Sequence, residues 1–393
     1  MRGKWLWLFV IFGLPLLLTA LIPISSRGRS AASLPEFMPI ADRTGSVADC
    51  ATVPYSTDDV VQPPELSEEL PHFVIPPHLE GATLVDLGLY IVGITEIDPV
   101  SNTFSVEGFM DLIWCDPRHI FDAEMLGWDE QVYLEEVALE ELGFIWWPDI
   151  TFPNEKGSRD RENAQVIIYE DGTVEYQERF AVTLEANYDL RQFPFDRQTL
   201  PIEIESLAWS EEFLEFHIAE GKVGFSEEFE IPEWNTESVT THIESVQEIR
   251  DTEPFSEFMM EIEVTRNPGF YIWKVFLPLM LIVMLSWSVF WTLEEPLPDS
   301  LAISFTGILT VVAYQFVLGD SLPRIPYITF MDAVLMFSFV LMAATIGENI
   351  LVHILKLEDR VEAAQRIEVI SRYAFPAIYV TALVIMVITF GII

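Results

Sequence analysis

The sequence predicts an all-β, immunoglobulin-like sandwich followed by a transmembrane bundle of four helices. Three observations carry that prediction. Between residues 82 and 268, apolar and polar residues alternate in short segments separated by turn signals, which is the period of half-buried strands. Beyond Asn267-Pro268 the alternation stops and long apolar runs follow, each near the length that a bilayer core requires. The charge divides at the same place. Residues 31–269 hold 52 acidic and 11 basic residues, whereas residues 270–393 hold 10 and 6.

The 393-residue chain begins with Arg2 and Lys4 and an apolar run to Ile24. Residues 1–24 read as an export signal, either cleaved or kept as an anchor, with Arg27 and Arg29 just behind it. Residues 25–81 are rich in proline, serine and acid without sustained periodicity, and read as an irregular extension. The acidic part that follows has many aromatic and β-branched residues, so its charge does not imply disorder. That charge argues against nucleic acid and anionic lipid surfaces as partners, and it should concentrate cations, protons and Ca²⁺ included. Cys50 and Cys115 are the only cysteines. In an exported domain they either form one disulfide or remain two thiols.

Strands are expected at 84–95, 104–114, 164–186 (with a turn at Asp171-Gly172), 199–209, 238–249 and 255–266, and one helical insert at 123–142. Spanning helices are expected at about 270–291, 299–320, 327–355 and 370–393. Lys356, Arg360, Arg366 and Arg372 surround the last connection and place it in the cytoplasm, so the sandwich and the C-terminus lie outside a bacterial inner membrane. No metal spacing and no catalytic motif occurs, so neither a cofactor nor an enzymatic activity is expected.

The second span differs from the others. Asp299, Ala302, Thr306, Leu309, Ala313, Phe316 and Asp320 fall at helical steps on one stripe, acid at both ends and apolar in the middle. A polar stripe is costly against lipid. It is either a pore face shared by several copies around an axis, or a packing face whose small residues admit neighbouring helices.

Several motifs together resemble the pentameric ligand-gated ion channel family, in particular its prokaryotic members. YDLRQFPFDRQTL (188–200) is similar to the signature loop at the base of the extracellular domain, with Ala186 and Leu200 where animal receptors carry bracketing cysteines. WWPD (146–149) resembles the first binding-loop motif, the run from Arg266 to Trp291 the first membrane helix, and SFTGILTVVAYQF with LPRIPY (322–327) the pore helix and its following loop. The likeness covers residues 82–393. It implies a homopentamer around a central pore, with a small-molecule agonist bound between adjacent sandwiches.

By this resemblance Leu309 occupies the central apolar gate, Phe316 a second apolar ring, Thr306 and Ala302 the passage below, and Asp299 an acidic ring at the cytoplasmic mouth. No basic residue occurs from Asp299 to Asp320, which favours monovalent cations, although Pro298 is more typical of anion-selective relatives. The agonist box maps to Trp146, Asp149, Glu205, Leu207, Trp209, Trp234 and Phe255, with Phe109 reached from the neighbouring subunit. Aromatic faces with an acid suit a primary amine. Thr151, Gln165 and Leu207 stand where a prokaryotic relative has an acid, an arginine and an aromatic. Asp196 and Phe195 of the FPFD loop, Arg266, and Pro323 of the following loop are expected to couple the two domains. Divalent cations such as Ca²⁺ are expected modulators. Two further readings stay open: a pH-gated channel of the same fold, with Val311 where a proton-gated relative carries histidine, and a membrane-anchored binding protein without conduction.

Overall fold

In the computed structural model, described for residues 50, 75–77, 81–226, 231, 233–247, 253–291, 297–319 and 325–392, two sheets close over a shared apolar core. One sheet contains β1 (Thr83–Asp98), β2 (Thr103–Cys115), β3 (Glu130–Leu134), β5 (Asp160–Tyr169), β6 (Thr173–Glu185), β8 (Leu214–Ile218) and β9 (Gly224–Phe225). Its strand order is β3-β5-β6-β2-β1-β8, with β9 also pairing with β1. The other runs β10 (Trp234–Val246), β11 (Phe255–Arg266), β7 (Arg197–Ser206) and β4 (Ile150–Thr151).

The strands form where the alternation predicts them. On β2 the side chains of Val106, Met110, Leu112 and Trp114 point into the core, while Glu107, Phe109 and Asp111 point away from it. The turn between β5 and β6 uses Gly172 at φ 87°, a conformation in which a Cβ would also meet the Asp116 backbone carbonyl at 2.9 Å.

The helical insert expected at 123–142 is a correction. It is two short helices, α1 (Ala123–Leu126) and α2 (Glu136–Glu141), separated by β3. Gly127 ends α1 in the left-handed region, and Glu130–Leu134 then pairs antiparallel with β5. The strands β4, β8 and β9 lie outside the expected set: β4 and β9 have two residues each and show no period, whereas Leu214–Ile218 of β8 does alternate apolar and polar residues and was passed over.

The membrane part comprises α3 (Gly269–Trp291), α4 (Leu297–Gly319), α5 (Phe330–Leu357) and α6 (Val361–Thr389). In α3 the turn widens over Ile272–Phe276, before Pro278, whose missing N–H interrupts the ladder. Thr329 and Asp332 form a capping box that starts α5 sharply. The last helix begins nine residues before its expected start at 370. Its first turns pack Ala364 against Val352 and Leu355 of α5, an apolar contact outside the membrane run itself.

Two apolar cores result, one in the sandwich and one in the bundle. The second contains Leu190 and Phe193, which belong to the loop between β6 and β7. The sandwich therefore plugs two side chains into the top of the helices. The export signal at 1–24 lies outside the described residues, as does the 25–81 extension apart from Cys50, residues 75–77 and Gly81.

Cys50 and Cys115 are joined by a disulfide across 65 residues of sequence, which ties the extension to the end of β2. Constraining a loop of that size stabilises by about 2–4 kcal/mol. Cys50→Ser is expected to lower the thermal midpoint of the extracellular domain accordingly. Calorimetry of wild type under reducing conditions should then reproduce the variant's midpoint.

Candidate functional site

Along α4 the predicted stripe is exposed on the protomer. Ala302, Thr306, Leu309, Ala313 and Phe316 all face outward, Leu309 at 69% and Phe316 at 75% exposure. The opposite stripe, Ser300, Ser304, Gly307 and Val311, is buried against the other helices. At Gly307 an added Cβ would lie 3.3 Å from Met342 Sδ of α5, so the small residue admits a close approach. The two alternatives for the stripe thus fall on different faces of one helix. The Thr306 hydroxyl donates to the Ala302 carbonyl at 2.8 Å, which leaves its oxygen lone pairs facing outward. Asp320 and Pro323 lie outside the described residues, as does the side chain of Asp299.

The aromatic box is built on the outer face of the four-stranded sheet and on the loops at its edge. Leu207 N–H donates to the Asp149 carbonyl at 2.8 Å, and the Ser206 hydroxyl to the Pro148 carbonyl at 2.6 Å, so the 146–149 and 206–209 loops are locked together. Trp209 Nε1 donates to the Trp147 carbonyl at 3.2 Å. Asp149 is half-buried at φ 47°. Burial holds its carboxyl above the usual carboxylate range, with the Arg161 charge opposing. Glu205 is buried, and the strand register sets it directly between Thr151 of β4 and Glu257 of β11. Glu257 is also buried, and the sequence reading passed over it. Phe255 is buried at the tip of the β10–β11 hairpin, two residues from Glu257.

Three of the expected box residues are placed differently. Trp146 is a core residue, 1% exposed, with its ring edge-on to Trp114 at 6.0 Å, and Trp147 is the partly buried member of that pair. Leu207 is exposed and adds a surface position rather than a wall. Trp234 is not in the box at all. It pairs with Arg266 at the far end of the hairpin, eleven steps from Phe255, which is roughly 35 Å along a strand. Phe109 projects from β2 on the opposite face of the sandwich, so it can meet a box only on another copy of the chain.

At the domain junction Arg266 and Asp196 form a buried, two-pronged ion pair, with Nε to Oδ1 at 2.8 Å and Nη2 to Oδ2 at 3.1 Å. Gln198 Nε2 donates to the same carboxylate at 2.7 Å. The guanidinium lies over the Trp234 ring at 4.1 Å and near the Phe193 ring at 4.9 Å. Phe195 packs edge-on against Phe330 at the start of α5. Two backbone links join the same loop to the helices: Leu190 N–H donates to the Tyr327 hydroxyl at 3.1 Å, and Phe330 N–H to the Arg191 carbonyl at 2.9 Å. Gln198 and Phe330 were missed and Trp234 was assigned to the box instead, whereas Tyr327 closes the 322–327 loop expected to transmit the movement. For Trp234 the signal was available, since twelve paired residues separate it from the hairpin tip.

Among the described residues no group of His, Cys, Asp and Glu is arranged to hold a metal ion.

Comparison with known proteins agrees with this geometry. The sequence model of the neurotransmitter-gated ion-channel ligand binding domain matches residues 65–268, and that of the neurotransmitter-gated ion-channel transmembrane region matches 275–383. The first match begins inside the segment read as an extension. A proton-gated ion channel of Gloeobacter violaceus is 27% identical over 332 residues, 84% of this chain and 87% of its own. A gamma-aminobutyric acid receptor subunit beta of Lymnaea stagnalis is 28% identical over 282 residues, 69% of this chain and 56% of its own. The corresponding subunit of Caenorhabditis elegans is 29% identical over 275 residues, covering 68% and 48%. The family forms pentamers and binds small-molecule agonists. With a sandwich plugged into a helical bundle and a second span exposing a polar stripe, the chain belongs to the neurotransmitter-gated ion-channel family and is a ligand-gated channel subunit of the membrane.

Proposed function

We propose that five copies of this chain form a cation-selective channel of a bacterial inner membrane, opened by a small organic cation such as a primary amine. The exposed α4 stripe carries the pore part of this reading. Leu309 and Phe316 would form two apolar constrictions from which water withdraws, and Thr306 a hydroxyl ring between Leu309 and the cytoplasmic mouth. The acidic ends of the stripe and the strongly acidic outer domain favour cations over anions. The carboxylates of Glu205 and Glu257, beside Trp209 and Phe255, support an ammonium ligand, with Phe109 supplied by the adjacent subunit. In this reading the Asp196–Arg266 pair passes the movement from the sandwich to α3. The C-terminus lies outside, and divalent cations act as modulators of the acidic domain. The reading includes neither a cofactor nor a reaction.

A second reading, opening by protons, is favoured by the Gloeobacter relative and by carboxyls that burial raises above their usual range, Asp111 and Asp149. Currents recorded in oocytes over a pH series without ligand, then with ethylamine, propylamine and butylamine, separate the two. The amine reading expects current at neutral pH only with amine. Current from acidification alone would replace it with the proton reading.

Two substitutions test the parts. Leu309→Ser is expected to let water into the constriction and produce leak current without ligand, with a reversal potential that follows sodium and not chloride. Asp196→Asn and Arg266→Gln each leave one buried charge without its partner, a cost of about 3–5 kcal/mol. Each should abolish amine currents while surface labelling still detects the protein, and unaltered gating in both would remove the coupling role.

A further inference from the structure

The seven-stranded sheet carries a charged cluster that the amine-gated reading leaves without a role. Behind β8 the chain crosses back over this sheet through residues 219–226, and Gly224 and Phe225 pair in parallel with Tyr90 and Ile91 of β1. Lys222 lies two residues before that pairing and sits directly over Gly88. A Cβ at Gly88 would lie 2.7 Å from Lys222 Cβ and 3.3 Å from its carbonyl oxygen. The glycine leaves a slot through which the lysine side chain crosses β1.

The side chain ends among carboxylates on two further strands. Lys222 Nζ is 2.8 Å from Glu175 Oε1 on β6 and 3.7 Å from Asp111 Oδ2 on β2. Glu175 is fixed in turn, accepting from the Tyr169 hydroxyl at 2.9 Å and from Gln177 Nε2 at 2.9 Å. Burial opposes ionisation of Glu175, but the Lys222 charge and these hydrogen bonds outweigh it and hold its pKa below the usual value. One side chain therefore ties the 219–226 segment to β1, β2 and β6.

The place of this tie gives it a role. Asp111 is two residues from Phe109, so both project from the same face of β2. Across the sheet Phe109 stands between Tyr90 and Arg179, and Tyr90 is the partner of Gly224. The strapped segment is thus the immediate neighbour of the wall that carries Phe109.

We propose that Lys222 is a positioning residue for agonist capture: it latches the 219–226 segment onto the face carrying Phe109 and so fixes the wall that each subunit lends to its neighbour's box. This rests on the amine-gated reading given above. The latch needs a cation with reach at 222, an acid at 175 and no side chain at 88.

The test compares propylamine concentration–response curves in oocytes with amide hydrogen exchange of the purified full-length channel. Lys222→Gln is expected to raise the half-maximal propylamine concentration about tenfold, equivalent to about 1.4 kcal/mol of lost apparent affinity. Sodium selectivity should be unchanged, and residues 219–226 should exchange faster. Lys222→Arg should stay near wild type in both measurements. The exchanged pair Lys222→Glu with Glu175→Lys should recover part of the loss, whereas Gly88→Ala, which leaves every charge in place, should reproduce it. A Lys222→Gln curve within twofold of wild type, or Lys222→Arg as impaired as Lys222→Gln, overturns the proposal. Unchanged exchange in Lys222→Gln removes the latch itself. Faster exchange with a wild type that propylamine does not open would show that the latch is real and that the agonist reading is what failed, which ends its assignment to capture.

Discussion

Everything at the junction depends on one buried ion pair. Taking Asp196 and Arg266 out of water costs several kcal/mol for each charge, about what their attraction returns only when geometry is good and every remaining donor and acceptor is met. Here the fork is two-pronged, Gln198 takes a further carboxylate position, and Trp234 and Phe193 cover the guanidinium. Such a pair adds little net stability against an apolar replacement. Its effect is on register, because any slip between β7 and β11 would separate the charges inside the protein. Asp196 precedes β7 and Arg266 ends β11, so the pair fixes both strand ends directly above the first membrane helix. It also sets the loop that lowers Leu190 and Phe193 into the bundle core.

The same hairpin joins the two ends of the extracellular domain. β10 and β11 pair over twelve positions, from Val246 and Phe255 at the tip to Trp234 and Arg266 at the base. A twelve-residue antiparallel ladder flanked by β7 is stiff along its length. In the proposed mechanism a ligand that draws the tip toward Glu205 and Glu257 therefore tilts the base. The helix that continues from Arg266 starts within three residues, with Pro268 rigid between them. The loop to α5 is held by Tyr327 and Phe330, so the two links reach different helices from one loop.

Much of this was legible in the sequence. Alternation located the long strands because each has one buried face, and the apolar runs located the helices because lipid and bundle core ask for the same residues. Asp196 and Arg266 could be paired because loop and helix start are both marked by motifs. What the sequence concealed was depth. Trp146, Trp209 and Trp234 are the same residue type, yet one is core, one edges the box and one roofs the ion pair. Type gives an affinity for burial, while strand register decides where that burial occurs. The insert at 123–142 misled for a related reason: its acids and leucines fit a helix, but Gly127 ends the first turn and the β-branched and aromatic pair Val132-Tyr133 sits in the stretch that pairs with β5. Lys222 was invisible because its partners lie 47 and 111 residues away, on β6 and β2.

Exposed surface in the bundle differs between α6 and α4, and the difference argues for the proposed axis. On α6 the outward positions Val369, Ile370, Ile378, Val384, Ile385 and Ile388 are large and aliphatic, with the smaller Ala377, Thr381 and Thr389 between them, and the Thr389 hydroxyl donates to the Ile385 carbonyl. On α4 the outward stripe alternates Ala302, Thr306, Leu309, Ala313 and Phe316, with Gln315 beside it. Small residues and hydroxyls face outward on both helices, so the difference lies in Gln315, whose amide in hydrocarbon would cost more than it returns. Narrow spacing around an axis does need such alternation, since bulky residues at every turn would seal the lumen and small ones at every turn would leave it open. Leu309 and Phe316 stand two helical turns apart with Ala313 between them. In the proposed pore that gives two short constrictions, each of which a small rotation of α4 would carry off the axis.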